Sequence, residues 1–153
     1  MRKIAVINGP NINMLGVREP EIYGTVNWKD IEKRLKKCAI DIDCSIIFFQ
    51  SNHEGEIVDF IQKNIKKIDA IIINPASLSK TGYSILDALN SQHIPYIEVH
   101  LSNISSRGGW HKDSIFTKNS IGCILGFKSF VYLLGLYAAN NYLEEKNGER
   151  IDS

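Results

Sequence analysis

The chain has 153 residues, with 18 Lys and Arg against 17 Asp and Glu, a formal net charge of +1. Hydrophobic residues make up 44% and charged residues 23%, ordinary usage for a globular domain, so a disordered chain is excluded. The near-zero charge lacks the basic footprint of a general nucleic-acid binder, and the length fits one domain with one core.

Ile4-Ala5-Val6-Ile7 is a short continuous apolar run ending at Asn8-Gly9, as a buried parallel strand does. It is too short for a signal-peptide core, and no apolar run approaches the ~20 residues that cross a bilayer. Trp28, Ile31, Leu35, Cys38 and Ile42 then recur at helical spacing, with Asn27 as N-cap and Asp30 three residues later. Ser45 to Phe49 reads as the second strand, and Ile57, Val58, Ile61 and Ile65 as the inner face of the second helix. Ala70 to Ile73 is the third strand, ending at Asn74-Pro75. Ile85, Leu86 and Leu89 mark a third helix, closed before Pro95. Tyr96 to Val99 and Ile121 to Leu125 are the fourth and fifth strands. Phe130, Leu133, Leu134 and Tyr137 are expected to face inward from a last helix that fades into a polar tail from about residue 144.

Strands alternating with amphipathic helices predict an α/β domain with a parallel sheet and right-handed crossovers. Five strands in this length predict the smaller doubly wound layout, flavodoxin-like, as a single domain over residues 1–153. Ligands of such sheets sit beyond the carboxyl ends of the strands, so those ends are where chemistry is sought. The first is followed by GPNINMLGVREPEIYG (Gly9 to Gly24), a long polar loop without helical periodicity, expected to form a mobile lid. The others are followed by QSNHEGE, NPASLSKTG and HLSNISSRGGWHK.

Neither a dinucleotide-binding glycine fingerprint nor a P-loop occurs, and strand one ends in Asn-Gly instead of acidic residues. His53, His93, His100, His111 and the three cysteines show no pair at recognised zinc spacing, so no metal is expected. His53 and His93 read as surface residues, Cys38 and Cys123 as core. Three cysteines without a C-x-x-C predict free thiols in a reducing compartment, the cytoplasm.

The loop GPNINMLGVREPEIYG closely resembles the first signature of the type II 3-dehydroquinate dehydratases. The resemblance continues through QSNHEGEIVDFI, through NP followed later by LDAL, through PYIEVHLSNI with Arg107, and through GCILGF. It spans Ile4 to about Tyr142. It implies a flavodoxin-like enzyme without cofactor or metal that converts 3-dehydroquinate to 3-dehydroshikimate by anti elimination through an enolate. It also implies a homo-oligomer, trimers grouped into a dodecamer, with no nucleic-acid or membrane partner.

On that resemblance Tyr23 matches the base and Arg18 its activating cation. Ionising a phenol at pH 7 requires about 3 pKa units, or ~4 kcal/mol. One cation at ~4 Å in an effective dielectric of ~20 supplies about that much, and an arginine cannot lose its charge. His100 matches the general acid and Glu98 its partner; positions i and i+2 of a strand face the same way. Asn11 matches the residue that stabilises the enolate through a water. Asn74 matches a substrate ligand, the backbone amides of Leu101 and Ser102 the pair that binds the carboxylate, and Asp87 an aspartate reaching a neighbouring subunit's site.

Two positions depart from the family pattern. Lys80 stands where the family has histidine, and Gly108 and His111 replace a glutamate and an arginine in the fourth segment. Both Lys80 and His111 fall on substrate-hydroxyl positions. They leave open dehydration of a related hydroxylated cyclic ketoacid, or a non-catalytic paralogue that binds such acids.

Overall fold

The computed structural model describes residues 1–17, 19–23, 25–109 and 112–148, without the side chains of Pro20 and Tyr23. Five parallel strands form one sheet: β1 (Arg2–Asn8), β2 (Cys44–Gln50), β3 (Ala70–Asn74), β4 (Tyr96–His100) and β5 (Gly122–Leu125). Their order is β2-β1-β3-β4-β5, the flavodoxin-like doubly wound arrangement. Five α-helices accompany them among the described residues: α1 (Pro20–Tyr23), α2 (Trp28–Asp41), α3 (Glu54–Asn64), α4 (Tyr83–Ser91) and α5 (Phe130–Lys146).

The central strands are apolar on both faces because helices cover both. Ile4, Val6, Ile72, Ile97 and Val99 pack against Leu35 of α2 and Leu136 of α5. Ala5, Ile7, Ile71 and Ile73 pack against Ile57 and Ile61 of α3 and Ile85 and Leu89 of α4. Each fully buried isoleucine contributes about 1.5–3 kcal/mol relative to exposure, which holds β1 and β3 as the rigid centre. Local signals agree at α2, where the Asn27 side chain accepts from the Asp30 amide at 3.0 Å.

One expectation is corrected. Phe130 and Tyr137 do not face inward; they are 48% and 52% exposed, and Val131, Tyr132, Leu136 and Ala139 form the buried face of α5. Apolar residues surround most of this helix, so periodicity alone cannot choose the inner stripe. Gly135 decides it. A Cβ there would lie 3.1 Å from Ile72 Cγ2 and 3.3 Å from Val99 Cγ1, so the missing side chain lets the helix approach the sheet. The helix ends at Lys146, and residues 149–153 lie outside the description.

The loop after β1 is likewise less irregular than its polarity suggests. It carries a 3-10 turn at Ile12–Met14 and the short α1, and buried Ile12 and Leu15 anchor it. Pro20 opens α1, where its missing N–H costs nothing. Arg18 and Gly24 lie outside the described residues.

Where β1 leaves the sheet, its chain runs against the end of β3. The Gly9 amide donates to the Asn74 carbonyl at 2.8 Å, and a Cβ on Gly9 would lie 2.4 Å from the Pro75 carbonyl oxygen. Both atoms that would have to yield are backbone. Gly9→Ala is therefore expected to cost about 1–3 kcal/mol, roughly 2–12 °C in Tm, read by thermal melting.

Candidate active site

In-register pairing brings three polar strand ends into one row, Gln50 of β2, Asn8 of β1 and Asn74 of β3. This row crosses the point where strand order reverses, between β1 and β3. The two-residue period turns Asn8 and Asn74 toward the α2/α5 layer, as it does Val6 and Ile72. Between them lies the hydroxyl of Tyr132, fully buried. Asn74 Nδ2 donates to the Tyr132 hydroxyl at 2.9 Å, which donates to Asn8 Oδ1 at 2.7 Å. Burial pushes the Tyr132 phenol well above its ordinary value, so it keeps the proton it donates. Asn74 Oδ1 accepts from the Ala76 amide at 3.1 Å. Asn8 Nδ2 is the one buried side-chain polar atom without a partner among the described residues.

Asn11 lies three residues past β1 and is exposed. Its backbone is left-handed at φ 69°, a region asparagine tolerates better than most residues. Its amide donates to Asn52 Oδ1 at 2.9 Å.

On β4 the alternation turns Glu98 and His100 to the opposite layer, with Phe116. Glu98 is fully buried and His100 is 5% exposed. His100 Nε2 and Glu98 Oε1 are 2.6 Å apart, and the Thr117 hydroxyl donates to Glu98 Oε2 at 2.5 Å. Burial alone would raise the Glu98 carboxyl; the bond and charge of His100, with the Ser114 and Thr117 hydroxyls, outweigh it and hold it below its ordinary value. An ionised carboxylate only accepts, so His100 Nε2 carries the hydrogen and Nδ1 is the ring nitrogen left for exchange.

Cys123 of β5 is the register partner of Glu98. Burial and the neighbouring carboxylate push its thiol up to about 12. Glu98, His100 and Cys123 place potential ligand atoms within 4.8 Å of one another, a grouping their sequence spacing did not reveal. Both Glu98 oxygens are already bonded, to His100 and to Thr117, and the thiol stays protonated.

The segment after β4 is held from the β5–α5 turn, where Gly126 and Lys128 amides donate to the His100 and Leu101 carbonyls at 3.2 and 2.8 Å. The Ser102 hydroxyl accepts from Arg107 Nη1 at 3.2 Å. Asn11, Asn74, the Glu98–His100 pair, Leu101 and Ser102 thus all lie at the carboxyl edge of the sheet. Lys80 follows the 3-10 turn Ala76–Ser79 beyond β3 and is half-buried. Asp87 is apart from them, exposed in the middle of α4. Arg18, His111 and the Tyr23 side chain lie outside the described residues.

A family model described as "Dehydroquinase class II" matches residues 2–140. The chain belongs to this family. A 3-dehydroquinate dehydratase of Prochlorococcus marinus (strain MIT 9515) is 50% identical over 143 residues, covering 94% of this chain and 98% of the relative. One from Endomicrobium trichonymphae is 51% identical over 136 residues, covering 89% of this chain and 95% of the relative. The type II dehydroquinase of Butyrivibrio crossotus DSM 2876 has a solved structure that matches with a TM-score of 0.88 at 38% identity, over 91% of this chain and 97% of that one.

For this class II dehydroquinase, sequence reasoning missed Thr117 and Ser114, which hold Glu98, and Asn8 and Tyr132, which hold Asn74. Thr117 lies 19 residues from Glu98 in a segment without periodicity; the one signal was a hydroxyl residue just before β5. The lowered Glu98 carboxyl also has a consequence for stability. A depressed folded value contributes stability above the unfolded value, lost as pH falls through the folded one. Glu98→Gln is accordingly expected to lower Tm at neutral pH and to flatten the decline of Tm below about pH 4.5, in melts recorded from neutral to acid pH.

Proposed function

We propose that this protein dehydrates 3-dehydroquinate to 3-dehydroshikimate by anti elimination through an enolate, in the shikimate pathway. The observation that carries the reading is the buried Glu98–His100 pair at the carboxyl edge of β4, in a chain of the dehydroquinase family. A protein that only bound hydroxylated acids would have no need of a buried carboxylate orienting an imidazole beside its site.

In this reading Tyr23, ionised beside Arg18, removes a proton from the carbon next to the ketone. The electron pair passes into the enolate, which a water held by Asn11 stabilises. Collapse of the enolate expels the hydroxyl from the next carbon, and His100 supplies the proton that makes it water. Glu98 holds the ring of His100 in place. The Leu101 and Ser102 amides bind the substrate carboxylate, Asn74 binds a hydroxyl, and Lys80 and His111 meet the remaining hydroxyls. Lys80 supplies a compact ammonium with three donors, while His111 stands where the family's planar arginine fork would be.

The protein works as a homo-oligomer, trimers grouped into a dodecamer. Phe127, Phe130, Tyr137 and Ile121 are large apolar side chains left 41–62% exposed, which an assembly would cover, and exposed Asp87 would reach a neighbour's site. The three cysteines are free and no described helix is long and apolar enough to cross a membrane, which suits a cytoplasmic enzyme.

The test is direct. Purified protein mixed with 3-dehydroquinate should generate the ultraviolet absorbance of a conjugated enone. A flat trace from folded, assembled protein would overturn the reading, and light scattering on the same sample reads the assembly.

A further inference from the structure

The turn Gly9-Pro10-Asn11 is held at both ends by side chains at and just beyond the end of β2, Gln50 and Asn52. Asn52 Oδ1 accepts from the Asn11 amide at 2.9 Å and from Gln50 Nε2 at 3.2 Å. Gln50 Nε2 also donates to the Gly9 carbonyl at 3.3 Å. One amide thus grips the carbonyl where the turn begins, and a second grips the N–H where it ends. The Ser51 amide between them donates to the Asn8 carbonyl at 3.1 Å, which keeps the gripping segment in register with β1.

The grip matters because of what the backbone does at Asn11. A residue at φ 69° sits in a sparsely occupied region that persists when its surroundings over-determine it. The direction of the Cα–Cβ bond, and so of the carboxamide, follows from that backbone angle. On its other side the turn is blocked by the Pro75 carbonyl against Gly9. Among the described residues, the side chains that hold the Asn11 end are those of Asn52 and, through it, Gln50.

We propose that Asn52 and Gln50 are positioning residues that aim the Asn11 carboxamide at the developing enolate. The inference rests on the dehydratase reading above and on the role given there to Asn11. Neither residue touches substrate. Both act by keeping the Asn11 backbone left-handed, and Asn52 is exposed, so its loss leaves the core intact.

The experiment is a double-mutant cycle of Asn11→Ala and Asn52→Ala, with steady-state kinetics on 3-dehydroquinate and a melt for each variant. Misplacing a catalytic group by about 1 Å costs up to about a hundredfold, so Asn52→Ala is expected to lower kcat by roughly ten- to a hundredfold with KM within about threefold. Asn11→Ala/Asn52→Ala should be no slower than Asn11→Ala alone, because a positioning group has nothing left to aim. Gln50→Leu should show a smaller loss of the same kind. Wild-type kcat in Asn52→Ala, or losses that multiply in the double variant, would overturn the proposal, since a merely structural residue adds its cost whatever occupies position 11. An inactive wild-type protein would sink the dehydratase reading itself, and a fully active Asn11→Ala the role of Asn11.

Discussion

His100→Ala is expected to lower kcat by 10²–10⁴-fold, the range for loss of a general acid. The alanine variant also leaves Glu98 Oε1, in a fully buried carboxylate, without its closest partner at 2.6 Å. Removing one member of a buried pair costs about 3–5 kcal/mol, so a fall in stability is expected alongside the fall in rate. The Thr117 and Ser114 hydroxyls still hold the carboxylate, which puts the cost toward the lower end. His100→Gln separates the two effects. Its amide can donate to Glu98 but cannot deliver a proton, so it should melt closer to wild type while losing as much kcat as the alanine variant. If the glutamine variant recovered turnover together with Tm, His100 would be a packing residue and not the acid.

Tyr23→Phe is the second large effect. Phenylalanine keeps the ring and removes only the hydroxyl, so substrate affinity should stay within severalfold while enone formation falls to background. The reason is energetic: in the proposed mechanism the Tyr23 phenolate is the base, its ionisation at pH 7 requires about 4 kcal/mol of stabilisation, and phenylalanine has no hydroxyl to ionise. Equilibrium binding of substrate to the variant, beside its rate, checks the split. Near-normal turnover would show that another group removes the proton.

Much of this molecule was legible in its sequence because the signals are local. Ile4 to Ile7 reads as a buried strand because four consecutive apolar residues end at Asn-Gly, and Asn27 reads as a cap because its side chain can reach the amide three residues on. Glu98 and His100 read as neighbours because strand geometry turns alternate residues the same way; the 2.6 Å between them needs no long-range information. The inner face of α5 was not legible. With apolar residues almost all round the helix, the choice fell to Gly135 meeting Ile72 and Val99, which are distant in the chain.

The sequence by itself determined the alternation of strands and helices, the polar carboxyl ends and, through its signature segments, the family. Spacing along the chain encodes which side of most elements is buried, α5 excepted, and that is sufficient for a doubly wound domain. Only the tertiary structure decided which of those polar ends meet. Asn52 reaches Asn11 across 41 residues, Tyr132 reaches Asn8 across 124, and Thr117 reaches Glu98 across 19. Such meetings depend on strand order and register, which are settled when both faces of β1 and β3 are buried together, so no local pattern in the chain carries them.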